Sequence, residues 1–287
     1  MKPKLALCLF LVAASFAACQ QATQKESAEA TANEPAPTPA LTLEAIEGGP
    51  LAEFFAKRVD VFGVEIVGTE TTPDYKVLHA ANVMAQYLDN DEDGVPDNQK
   101  VVDAMVEQNA LLIMFADFDE LENSGLFSSG LRDQYEMQDL EGHETLPEEG
   151  FDAALEEVHH LIAFAGYAEA YPDVFGEKRG SQIADAVDLA RGGYFEGVPE
   201  QYPEAAWYHY GDETCEYGCM IIEYHYWAMT SLLGAQADPE RCAQIALEWE
   251  PCTRELLEEM DPAIYALLTD PKYKMPTALP DGSYRSH

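Results

Sequence analysis

Apolar positions recur with helical spacing over much of the chain. After Pro73, Val77, Ala81, Met84 and Leu88 fall at i, i+4, i+7 and i+11, one face of a helix. Val101, Val102, Met105 and Val106 open a second amphipathic segment, and polar residues 89–98 separate the two. Ala110–Phe115 is an apolar run of strand length, whereas residues 117–150 carry eleven acids against Arg132 alone and read as irregular surface. Phe151, Leu155, Val158 and Ile162 then form one helical face, with Gly166 as its expected stop. Further helices are predicted around residues 219–231, over 239–250, from Pro251 or Cys252 to Met260, and from Asp261-Pro262 onward. The pattern predicts an α+β fold, mainly α-helical: a single domain with a short sheet and a helix–loop–helix unit.

The N-terminus departs from this pattern. Lys2 and Lys4 precede the apolar run Leu5–Ala14, which is shorter than a membrane span and has the form of a signal peptide. Residues 1–18 are therefore read as a leader. Residues 19–41 are read as a disordered tether with three prolines between Pro35 and Pro39, and residues 42–287 as one globular domain. The small residues Ala17 and Ala18 before Cys19 resemble the lipobox of bacterial lipoproteins. That resemblance implies lipidation at Cys19, a membrane anchor, and an envelope location, at the outer membrane facing periplasm or exterior. Ordinary cleavage near Ala17-Ala18 is the alternative.

Composition restricts the partners. The 287 residues include 53 Asp+Glu and 16 Lys+Arg, for a net charge of −37, which excludes nucleic-acid binding through a basic face. A hydrophobic fraction of 47% with 24% charged residues describes a folded chain. Removing residues 1–18 takes two lysines and no acid, so the exported part is more acidic still. Beyond Cys8 and Cys19, the even set Cys215, Cys219, Cys242 and Cys252 predicts two disulfides in an exported chain. Three connectivities are open, and the spacings are poor for a zinc ribbon.

The most specific motif is Asp89-Asn-Asp91-Glu-Asp93-Gly94-Val95-Pro-Asp97. Calcium needs six to eight oxygens, and carboxylates at alternate positions wrap one ion when a Gly allows the sharp turn. Asp89, Asp91, Asp93 and Asp97 supply carboxylates at such positions, and Val95 a backbone carbonyl. Flanked by two helices, the unit resembles an EF-hand, and its acidic core resembles the calcium loops of thrombospondin type 3 repeats. Both imply a structural calcium ion. Lys100 stands where an EF-hand has its bidentate Glu, which leaves Asp103 or water to complete the shell.

A second motif is Glu156-Glu157-Val158-His159-His160. Two ligands at i and i+4 project from one helix face, the layout of His-Glu-x-x-His with Glu in the first position. The helix resembles that of the zincin metallopeptidases. The resemblance implies zinc on Glu156 and His160, with Glu157 as the base that activates water. Glu223 lies in the apolar and aromatic run 219–231, where a carboxylate needs a partner, either a metal or a nearby tyrosine. In the gluzincin branch the third ligand is likewise a Glu on a downstream helix.

Residues 194–212 concentrate Tyr194, Phe195, Tyr202, Trp207, Tyr208 and Tyr210, which serve either the core or a glycan- or peptide-binding surface. His209 and Asp212 are further polar candidates near a metal. Two functions from different classes follow. One is a metal-dependent, peptidase-like hydrolase on a calcium-binding scaffold. The other is a non-catalytic calcium-binding surface module that recognises a glycan or protein through its aromatic loop.

Overall fold

The computed structural model describes residues 41–148 and 150–285. The leader, Cys19 and the tether up to residue 40 lie outside the described residues. Five strands lie side by side in chain order: β1 (Glu44–Ala45), β2 (Lys57–Val61), β3 (Val64–Gly68), β4 (Leu111–Phe115) and β5 (Met137–Glu141). The first three pair antiparallel, while β3–β4 and β4–β5 are parallel. Strands β2 and β3 join through Phe62 and Gly63, with φ of 55° and 93°, as a two-residue hairpin requires.

Strand β4 is buried at every position because both sheet faces are covered. Leu112 and Met114 face the main helical core, and Leu111, Ile113 and Phe115 face a smaller cluster with Leu51, Phe55, Leu121, Leu126 and Leu131. On the helical side α1 (Asp74–Leu88) packs against β2 and β3, and α2 (Gln99–Glu107) against β3. The face predicted for α1 is buried at Val77, Ala81, Met84 and Leu88. The mainly helical α+β architecture is thus the one the apolar spacing predicts.

Two elements differ from expectation. The acidic stretch 117–150 is not wholly irregular, since it holds α3 (Phe118–Asn123) and the edge strand β5. Strand β5 offers only Met137 and Leu140 as apolar residues, so alternation alone does not reveal it. The next helix, α4 (Ala154–Leu161), does not stop at Gly166 but continues as a π-helical segment, Ile162–Ala168. A Cβ on Gly166 would meet Val101 Cγ1 at 2.7 Å and Met105 Cγ at 3.1 Å. This glycine lets α2 approach closely and does not end the helix.

The chain continues through α5 (Pro172–Phe175), α6 (Gln182–Ala190) and α7 (Tyr217–Leu233), then α8 (Pro239–Ile245), α9 (Arg254–Met260) and α10 (Pro262–Thr269). Of the three open connectivities the fold adopts Cys215–Cys219 and Cys242–Cys252. Disulfides of this kind belong to oxidising, extracytoplasmic compartments. No described helix is long and apolar enough to cross a membrane.

Candidate metal centres

Helices α4 and α7 pack against each other, which brings Glu156 and His160 of one beside Glu223 of the other. One ligand atom from each of these three residues lies within 4.8 Å of the others. His160 is buried, with Nδ1 3.3 Å from Glu157 Oε2 and Nε2 3.4 Å from Glu223 Oε2. The first contact is a hydrogen bond. The second is not aligned as one, so Nε2 has no hydrogen-bond partner among the described residues. A buried imidazole nitrogen facing two carboxylates without a hydrogen bond is the donor arrangement that a divalent cation fills.

Neighbours hold these ligands in place. Gln138 of β5 donates from Nε2 to Glu157 Oε2 at 2.6 Å, and the Tyr210 hydroxyl donates to Glu223 Oε1 at 3.1 Å. Of the two alternative partners expected for Glu223, the tyrosine is present on Oε1, while Oε2 lies 3.4 Å from His160 Nε2. The Tyr226 hydroxyl adjoins Glu156 outside hydrogen-bond geometry. Burial lifts the Glu156 carboxyl to about 7 against the pull of His160, with Glu157 and Glu223 adding to the rise. Burial disfavours the His160 cation, yet Glu223 and Glu157 outweigh it and hold His160 well above the usual histidine range. Three carboxyl groups thus surround one imidazole in a mostly buried space.

A cavity of about 380 Å³ opens beside this cluster, lined by Gln138, Glu157, His160, Phe164, Glu177, Ile222 and Glu223, with Cys219 at its edge. Phe164 reaches it from the π-helical segment, a register that often marks functional sites. Gln138 and Tyr210 are site residues that the sequence reading missed. Tyr210 lay within the flagged aromatic segment, but Gln138 sits in the strand that patterning did not reveal.

Other candidates lie elsewhere. The His209 amide bonds to Glu248 O and its ring packs on Tyr202, while Asp212 is exposed and caps Thr214. Neither joins the Glu156–His160–Glu223 group. His159 turns into the core, edge-on to His225 at 4.7 Å, and Phe175 stacks on His225 at 5.5 Å. Burial pushes His225 down to about 3, with His160 adding to the effect.

In the helix–loop–helix unit, oxygens of Asp89, Asp91 and Asp97 lie within 4.8 Å of one another. Asp89 is fully buried; its Oδ1 accepts from Asp93 N at 3.1 Å, and its Oδ2 accepts from Gly94 N at 2.8 Å and the Tyr284 hydroxyl at 2.6 Å. Gly94, at φ 86°, makes the sharp turn. Asp93 is placed differently from the expectation: its Oδ1 accepts from Val95 N at 2.9 Å, and it is outside the three-carboxylate group. The side chain of Val95 is 61% exposed, as suits a residue wanted only for its carbonyl. At the twelfth position Lys100 turns away, bonding to Ala170 O and lying over the Tyr171 ring at 4.2 Å. Asp103 is bonded to Gln99 at 2.9 Å.

Segment 273–285 straps this unit. Asn98 donates to Tyr273 O, Asn90 bonds to Thr277 and Ala278, Gln86 accepts from the Asp281 and Gly282 amides, and Glu92 accepts from Arg285 N. Comparison with protein-family models, curated proteins and solved structures finds no match.

Proposed function

We propose that the chain is an exported, lipid-anchored, metal-dependent hydrolase, zincin-like in the layout of its metal-holding helices and steadied by calcium in the loop after α1. The observation that carries this reading is the convergence of Glu156, His160 and Glu223, with His160 Nε2 buried and unbonded. Two carboxylates and an imidazole suit zinc. Zinc so held supplies Lewis acidity and a water of lowered pKa.

The protein's own groups provide the remainder. The Glu157–His160 hydrogen bond fixes the tautomer that turns Nε2 toward the carboxylates. Glu157 Oε2 is committed to that bond and to Gln138, while Oε1 makes no hydrogen bond among the described residues and the residue lines the cavity. Glu157 takes a proton from water as the water oxygen bonds to the substrate's carbonyl carbon. It returns that proton to the leaving nitrogen as the C–N bond breaks.

Calcium on Asp89, Asp91 and Asp97 is supported by their convergence. Export is supported by the two disulfides and the lipobox-like residues before Cys19. The binding-module reading has less support, because Tyr208 is buried, Trp207 and Tyr210 pack against the core, and Tyr194 is the one large aromatic of that segment that is exposed among the described residues.

Elemental analysis of the purified chain tests the reading. Stoichiometric zinc beside calcium is expected, with zinc lost in His160→Ala. Zinc retained in that variant overturns it.

A further inference from the structure

The cavity beside His160 is one of two that meet at Glu177. The outer one, about 660 Å³, lies between Glu177, Tyr194, Glu196, Glu213 and Glu216, and the Cys215–Cys219 disulfide spans the boundary, one cysteine lining each cavity. The outer wall is built. Arg191, fully buried, donates to Phe195 O at 2.8 Å and Gly197 O at 2.9 Å, which fixes the loop carrying Glu196. Of the two cations lining the outer cavity, Arg179 is turned onto the Tyr194 ring at 4.1 Å.

Resting on the hydrolase reading, we infer that the site takes an extended cationic peptide, with a Lys or Arg side chain against Glu177 and the scissile bond in the inner cavity. Two joined cavities exceed what a single residue fills, so an extended chain fits better than a small molecule. Acids outnumber cations around both cavities, so a positive side chain is complementary where an acidic one is repelled. The inner cavity also ends in Phe164 and Ile222, apolar groups that a neighbouring side chain can cover. His160, whose Nε2 is buried and unbonded among the described residues, lines this inner cavity, so the cleft lies against a group that itself calls for a ligand.

The test uses the full chain and a fluorescein-labelled peptide carrying one central Lys, compared by anisotropy with its Lys→Glu counterpart. The Lys peptide is expected to bind more tightly, and Glu177→Gln to weaken it about five- to tenfold. Glu107→Gln, on the exposed side of α2, controls for net charge and is expected to leave binding unchanged. Equal binding of the two peptides, unaltered affinity in Glu177→Gln, or equal losses in both variants each overturn the inference. Zinc content, measured on the same samples, reports separately on the metal centre: its absence overturns the hydrolase reading, while the anisotropy still decides on the cleft.

Discussion

Glu141 shows how one buried side chain sets a pH response. It lies at the end of β5 with Oε1 buried and without a hydrogen-bond partner among the described residues. Burial, reinforced by Glu144, lifts its carboxyl from 4.5 to about 8. The folded chain therefore keeps this proton where the unfolded chain has released it. Its contribution to stability is full below 4.5 and is lost as pH rises toward 8. Glu141→Gln is expected to be nearly neutral in acid and to stabilise by about 1–3 kcal/mol above the shifted range. Urea unfolding on both sides of that range measures it, and equal effects at the two pH values would exclude the buried proton. The residues of the zinc proposal were legible for the same reason that Glu141 was not. Glu156 and His160 are defined by spacing on one helix, and Glu223 by an apolar context. Glu141 is one acid among eleven in a stretch without periodicity.

At the level of elements, the loop after α1 and the strap 273–285 act as a pair. Asn90, within the loop, bonds to Thr277 and Ala278, and Tyr284 bonds to Asp89. A calcium ion held, as proposed, by Asp89, Asp91 and Asp97 would thus also fix the surface on which the strap lies. Limited proteolysis is expected to cut within 273–285 in chelator and to spare it with calcium, and Asn90→Ala is expected to reopen it. An identical digestion pattern in both conditions would refute the coupling. The loop itself was readable because its carboxylates recur at fixed spacing, and the α1 and α2 faces by their apolar period. The strap was visible only as a tail punctuated by Pro and Gly, since its partners lie far upstream. Gly166 was misread for a related reason: a glycine that ends a helix and one that admits a neighbour look alike in sequence.

Across the whole molecule, the charge of −37 excluded partners without giving its acids tasks. The fold gives several of them one. Asp117, Asp238 and Asp261 cap α3, α8 and α10, and Asp261 also accepts from Trp207 and Tyr224. Asp152 pairs with His79 at 2.6 Å and ties α1 to the start of α4. The caps are local, each made within three residues, whereas the bonds of Asp261 to Trp207 and Tyr224 and of Asp152 to His79 depend on tertiary neighbours that composition does not reveal.

The hydrogen bond from Tyr284 to Asp89 spans 195 positions of sequence, whereas β2 and β3 meet across a two-residue turn. Contacts between distant positions close late, because the intervening chain must first be ordered. The cation loop, legible early in the sequence, should therefore mature last in time. In pulse-labelled hydrogen exchange during refolding, the Thr277 and Gly282 amides are expected to gain protection after those of β3 and β4. Simultaneous protection would contradict that order. A newly made chain would then pass through a stage with its sheet formed and its acidic loop still open to proteases, and, on the calcium proposal, the supply of that ion would govern how long the exposure lasts.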